Sequence, residues 1–227
     1  MLQAPETIAV IGGTGKEGSG LALRFAHAGH RIVIGSRARE RAAATAAQLN
    51  ARLGASRVEA AENAAAAARG DLVVLTVPYA AQLATLEGIA PALSGKILID
   101  VTVPLVPPRI GCVQLPEGGS AVLKAQVVLG PQVRVVSAFQ NVSAEHLDDL
   151  DRTIDCDVLV CGDDRAACAT VIALAKAAGM RAFYAGPLAN SAVAEALTSA
   201  LITINRQYKI RHSGIRITGL PAETDHV

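Results

Sequence analysis

Short, mainly apolar runs alternate along this chain with longer stretches in which apolar and polar positions mix. The runs at 7–11, 31–35, 72–77, 96–101 and 134–138 are rich in Val and Ile and lack the in-out alternation of a half-exposed strand. That pattern predicts strands buried on both faces. Residues 16–28, 39–53 and 80–93 are Ala-rich and long enough for helices. A weaker strand at 57–60 leads into the alanine tract 64–68, read as a crossover helix because Ala is the best helix former. Strand and helix alternate throughout, which predicts right-handed crossovers and a parallel sheet covered on both faces. After about residue 142 the unit changes: strand 157–161, helix 165–178, strand 181–185 and one long helix over 189–211. Leu197, Leu201, Ile204 and Tyr208 fall on one stripe of that last helix, with Asn190 and Ser191 as its expected caps. The segment 107–119, rich in Pro and Gly, is the one long loop expected.

The first strand runs directly into Gly13-Thr14-Gly15-Lys16-Glu17-Gly18, a G-x-G-x-x-G turn that opens a helix. In such a turn the first Gly allows the tight bend and the second lets backbone amides approach a pyrophosphate. The third lets helix and strand pack closely. The helix N-terminus adds free N–H groups and partial positive charge. The strand–turn–helix context makes dinucleotide binding the reading here. An NAD site places Asp or Glu at the end of the second strand to bond the ribose 2′-OH. This chain has Gly35-Ser36-Arg37 there, followed by Arg41 one helical turn on. A carboxylate would repel a 2′-phosphate, whereas a hydroxyl and guanidinium groups bind one, so the expected dinucleotide is NADP. The fold class expected is α/β: a Rossmann-like doubly wound parallel sheet over 1–142, with a smaller C-terminal α/β domain over 143–227.

Composition narrows the partners. The 227 residues are 51% hydrophobic, enough for a proper core, and the formal charge of +1 gives no basic excess for nucleic acid or a membrane surface. No Trp, three Tyr and three Phe leave little to stack on single-stranded bases. No apolar run reaches the roughly 20 residues of a membrane span, and the run at 8–11 is too short for a signal peptide. Cys112, Cys156, Cys161 and Cys168 form no C-x-x-C pair and have no His at ligand spacing, so they read as small buried hydrophobes of a reducing compartment. A cytoplasmic protein with no metal is expected.

A dehydrogenase of alcohols or hydroxy acids needs a general acid or base. Neither Tyr79 nor Tyr184 has Lys four residues on, and Tyr208 is followed at once by Lys209. His27, His30, His146, His212 and His226 lie at helix ends or in polar stretches and read as surface residues. The catalytic set is therefore empty, which points to chemistry in which the protein orients two partners that supply their own reactivity.

The segments IAVIGGTG (8–15), GSR (35–37), LTVPY (75–79), VPLV (103–106), VSAFQNV (136–142), CGDD (161–164) and AGPLANS (185–191) resemble the NADPH-dependent reductases of coenzyme F420. The resemblance runs from about residue 7 to about 218, and its CGDD and AGPLANS segments are the more specific. It implies hydride exchange between NADP(H) and the deazaflavin coenzyme F420. Thr14, Ser36, Arg37 and Arg41 would hold the 2′-phosphate, and residues 11–15 would follow the pyrophosphate. Pro78 and Tyr79 would border the nicotinamide, and Gln140 and Val142 would touch the deazaflavin. Val77, Val103, Pro104 and Asn141 join the cofactor-binding set with these motifs. The archaeal members carry His where Gln140 stands; Gln donates and accepts hydrogen bonds but cannot become a cation.

The residues leave other readings open. Reduction of FMN or FAD, a ferric reductase-like activity, and a non-catalytic NADP-binding regulator share the same first half. Asp163 or Asp164 reads as a helix cap. The basic set Arg206, Lys209, Arg211, His212 and Arg216 reads either as a contact for the anionic deazaflavin tail or as a solvated helix end favoured by the macrodipole. The long last helix points to a homodimer.

Overall fold

The computed structural model describes residues 6–219; His226 lies outside the described residues. In chain order the elements are β1 (Thr7–Ile11), α1 (Lys16–His27), β2 (Arg31–Ser36), α2 (Arg39–Leu53), β3 (Val58–Glu62), α3 (Asn63–Arg69), β4 (Leu72–Leu75), α4 (Gln82–Ile89) and β5 (Ile97–Asp100). There follow α5 (Ala121–Leu129), β6 (Arg134–Ser137), α6 (Ala144–Leu147), β7 (Val158–Cys161), α7 (Arg165–Ala177), β8 (Ala182–Gly186) and α8 (Ser191–Tyr208). The eight strands form one sheet in the order β3-β2-β1-β4-β5-β6-β7-β8. Six of its neighbouring pairs are parallel and one is antiparallel: β6 meets β7 on the single rung Ser137↔Cys161. The segment from residue 143 thus adds its two strands to the same sheet.

The Val- and Ile-rich runs are buried on both faces as their composition predicts. β4 and β5 are buried at every position, and β1 at all but its first. Two apolar layers result. Leu21, Phe25 and Leu49 pack with Ile8, Val10 and Ile34 on one face, while Ile11, Leu75 and Leu98 meet Leu86, Ile89 and Val122 on the other. Arg24, only 6% exposed, ties α1 to the connection after β6. Its guanidinium donates to the carbonyls of His146 at 2.9 Å, Leu147 at 3.1 Å and Arg152 at 3.1 Å, and also to that of Asp149.

Several boundaries differ from the sequence reading. The strand expected over 72–77 stops at Leu75, where Thr76 turns its amide and hydroxyl to the Ile11 carbonyl at 2.8 and 2.9 Å. The helix expected over 80–93 is short at both ends, with 3₁₀ turns over Tyr79–Ala81 and Ala90–Ala92, the second containing Pro91. α5 and α6 were not expected; Ser120 caps α5 by accepting from Leu123 N at 3.0 Å. Asn190 and Ser191 do not cap α8: the Asn190 amide donates to Ala185 O and the Ser191 hydroxyl meets Ser120. Asp164 does cap α7, accepting from Ala167 N at 2.9 Å. The stripe on α8 is only partly buried, because Ile204 and Tyr208 face outward. Three cysteines are buried free thiols, but Cys112 is exposed. His30 is buried and accepts from Glu6 N.

Candidate functional site

The strand order reverses direction between β1 and β4, which leaves a crevice outside their carboxyl ends, the place where doubly wound sheets bind ligands. A cleft of about 860 Å³ lies there. Its walls come from segments at the carboxyl ends of β1 to β6, closed by Thr198 from α8.

One half of the cleft is built for anions. Gly12 takes φ +80°, and a Cβ on it would lie 2.8 Å from Val77 Cγ1. A Cβ on Gly13 would lie 2.8 Å from Val10 O, and one on Gly18 the same distance from Gly13 Cα, so both are needed for the turn and for seating α1. Gly15 differs. A Cβ there would meet only Gly12 O at 3.6 Å, so the space it leaves belongs to the cleft. Neither α1 nor α2 has a side-chain cap, and their first turns sit beside the cleft through Lys16, Glu17, Ala38 and Arg41. Uncapped N–H groups and the helix dipole suit a phosphate. Ser36, Arg37 and Arg41 line the same end, and neither arginine forms an ion pair among the described residues. Burial pushes the Glu17 carboxyl up to about 8, so it stays largely protonated at neutral pH and adds little negative charge beside this anion-binding end.

The other half is apolar with a few fixed polar groups: Val77, Pro78, Tyr79, Val101, Val103, Leu105 and Val142, with Thr102, Gln140 and Thr198. Gln140, 5% exposed, donates from Nε2 to Asp100 O and Ser137 Oγ, each at 2.8 Å, and its own carbonyl accepts from Thr198 Oγ1 at 2.8 Å. Asp100 lies beneath, fully buried, held by Gln82 Nε2 at 2.6 Å and Thr102 N at 2.9 Å; burial outweighs these bonds and pushes its carboxyl up. Glu195, also raised by burial, secures α8 against α5 by accepting from Ala121 N at 2.8 Å and Ser120 Oγ at 2.6 Å.

Three buried oxygens of residues that line the cleft have no partner within the fold: Glu17 Oε1, Asn63 Oδ1 and Gln140 Oε1. Buried polar atoms are normally bonded, so such a set in one cleft fits a polar ligand that completes them. An NADP molecule and a second flat ring match these walls: anion-binding helix ends at one end, apolar surface with the Gln140 acceptor at the other.

The structure brings together Thr14, Gly15, Lys16, Glu17, Ser36, Arg37, Arg41, Val77, Pro78, Tyr79, Val103, Gln140 and Val142. It places the others elsewhere. Gly13 and Gly18 shape the turn from behind, and Pro104 is buried beside the cleft. Asn141 is buried with its amide on Asp157 O at 2.8 Å. Asn63, Thr76, Thr85, Thr102 and Thr198 line the cleft without having been expected. The first four follow strands or the first turn of a crossover, where a strand-end rule would have found them; Thr198 sits mid-helix and carries no local signal. Among the described residues no His lines the cleft.

Comparison with known proteins agrees with this geometry. The family model described as NADP oxidoreductase, coenzyme F420-dependent, matches residues 7–104. An F420-dependent NADP reductase of Methanothermobacter thermautotrophicus is 43% identical over 223 residues, covering 95% of this chain and 96% of that protein. One from Methanocaldococcus jannaschii is also 43% identical, over 94% of this chain and 98% of its own. A crystal structure from Arthrobacter sp. FB24, assigned to the F420-dependent NADP reductases, superposes with a TM-score of 0.80 at 29% identity, covering 93% of this chain and 98% of that one. With likeness at this level along nearly the whole chain, the protein belongs to the coenzyme F420-dependent NADP oxidoreductase family.

Proposed function

We propose that the protein is an oxidoreductase that transfers a hydride reversibly between NADP(H) and coenzyme F420. The observation that carries this is the division of one cleft into an anion-binding half and an apolar half edged by the unpartnered Gln140 Oε1. Bound NADP(H) and coenzyme F420 would supply the hydride donor and acceptor, with a proton from water balancing the two-electron reduction. Ser36, Arg37 and Arg41 hold the 2′-phosphate, and the amides of the Gly13–Gly18 turn hold the pyrophosphate. Pro78 and Tyr79 flank the nicotinamide. Gln140, Thr102 and Val142 border the deazaflavin, with Thr198 fixing the Gln140 backbone. The protein's share of catalysis is to fix two flat rings at reacting distance and exclude water, with no side chain relaying a proton.

In this reading residues 1–142 grip NADP, and the segment from 143 completes the deazaflavin side through Thr198. The buried free thiols Cys156, Cys161 and Cys168 support a reducing, cytoplasmic setting. The outward-facing Val193, Ile204 and Tyr208 of α8 support a homodimer, which sedimentation tests.

Oxidation of NADPH against coenzyme F420, FMN and FAD side by side tests the function. Loss of deazaflavin absorbance with NADPH, and little turnover of either flavin, is the expected result. Preference for a flavin, or no turnover with F420, would overturn it.

A further inference from the structure

Two buried carboxyl groups lie behind the apolar half of the cleft: Asp100, 0% exposed, and Glu195, 1% exposed. Among the described residues neither forms an ion pair. Both belong to one closed circuit of hydrogen bonds. From α8, Glu195 accepts from Ala121 N at 2.8 Å and Val122 N at 3.2 Å, the first two amides of α5. Ala121 O accepts from Gln82 Nε2 at 3.2 Å, and the same nitrogen donates to Asp100 Oδ2 at 2.6 Å. Asp100 O accepts from Gln140 Nε2 at 2.8 Å, and Gln140 O from Thr198 Oγ1 at 2.8 Å. Thr198 is again on α8, three residues past Glu195 and about 4.5 Å further along the axis.

Holding α8 to α5 does not call for such a circuit. Apolar side chains of the same volume do that as well as buried charge, or better. Nor does α5 lack a cap, because Ser120 Oγ already accepts from Leu123 N at 3.0 Å. What the circuit adds is register. Each of its bonds is satisfied only over a narrow range of distance and angle, so α8 cannot slide without breaking several. Ser120 strengthens the α5 end, donating from Oγ to Glu195 Oε1 at 2.6 Å with Ser191 Oγ at 2.5 Å.

The circuit comes to the surface at one place. Gln140 and Thr198 line the cleft, whereas Glu195, Ala121, Gln82 and Asp100 lie behind its wall. Gln140 Oε1, left without a partner, is therefore held from two directions: its amide nitrogen by β5 and its backbone carbonyl by α8.

We propose that Glu195 is a positioning residue for the deazaflavin ring: by fixing α8 against α5 it sets, through Thr198, where Gln140 presents its free oxygen to the cleft. The inference rests on the function proposed above and deepens it, extending the ring site to a carboxyl group that touches neither cofactor.

A double-mutant cycle on the full-length protein tests this, with F420 and NADPH affinities read by their own fluorescence. Glu195→Gln and Thr198→Val should each weaken F420 about five- to tenfold and change NADPH less than about twofold. The double variant should bind F420 within about twofold of the weaker single variant, because both changes break one circuit. In cofactor-free protein, hydrogen exchange at Val142 N, which closes the turn onto Phe139 O at 3.1 Å, should quicken in both single variants. Ser120→Ala breaks the same link more mildly and should show the same split if Glu195→Gln does not fold. Full additivity, equal weakening of both nucleotides, or a lowered Tm with F420 affinity unchanged would reduce Glu195 to a structural brace while the parent reading stands. If the unaltered protein binds no F420, the parent reading falls, and unchanged exchange at Val142 N would then also remove the link from Glu195 to the turn.

Discussion

The amide of Gln140 donates to the carbonyl oxygen of Asp100 at 2.8 Å, and the same amide's oxygen is left without a partner in the fold. One end of the side chain thus braces β5 against the turn after β6, while the other is held in reserve at the cleft wall. Gln140→Leu keeps the size but strands Asp100 O and Ser137 Oγ. A loss of about 2–3 kcal/mol is expected, a Tm lower by roughly 5–10 °C for a chain of this size. Affinity for F420 should fall further than affinity for NADPH. Thermal melts and two binding titrations check this; an unchanged Tm would show that the brace carries no load.

The turn glycines separate folding from binding. Gly15→Ala adds a methyl that meets only Gly12 O at 3.6 Å, so stability should change by less than about 1 kcal/mol while the methyl occupies cofactor space. Gly18→Ala drives a methyl onto Gly13 Cα and the Thr76 hydroxyl. It should cost several kcal/mol, within the range of overpacked cores. Denaturant melts beside NADPH titrations give the comparison: the first variant folds and binds poorly, the second fails to fold well.

Arg37 tests the choice of dinucleotide. Replacement by Glu removes a charge-assisted contact and adds repulsion, so kcat/KM for NADPH should fall about 10- to 100-fold while NADH is used as well as before or better. A preference for NADPH that survives Arg37→Glu would remove the 2′-phosphate from this end of the cleft.

The Glu17 carboxyl makes stability fall with pH. Its folded value is raised to about 8 from an ordinary 4.5, so between those values the native state holds a proton the unfolded chain has lost. The contribution is complete below about 4.5, declines as pH rises and levels off above about 8. Glu17→Gln should remove this slope, which denaturant melts at several pH values would show. Binding of NADPH should also weaken above pH 8 in the native protein, where an ionised Glu17 faces phosphate, and weaken less in the variant.

Much of this was legible in the residues, for identifiable reasons. The glycine turn and the Ser36–Arg37 strand end are local features whose chemistry depends on neighbours in sequence, and both lie where strand order and turn geometry put them. Composition could not give strand direction. Nothing in the run 157–161 distinguishes a strand parallel to β6 from one antiparallel to it, because burial on both faces gives the same pattern either way. Asn141 shows the limit of motifs: it sits beside two cleft residues in sequence, yet its side chain points to Asp157 O inside the core. Thr198 shows the reverse, since its role arises from a partner 58 positions away.

The grip of Arg24 on four carbonyls between residues 146 and 152 has a consequence for dissecting the molecule. A fragment truncated at residue 142 would lose every acceptor that the guanidinium has there, and with α6 the cover that Leu147 lays over Gly20 of α1. The helix that presents amides to phosphate is thereby anchored by backbone from beyond the cut. The nucleotide half should express as an unstable, aggregation-prone piece, because the apolar face of α1 loses the same cover.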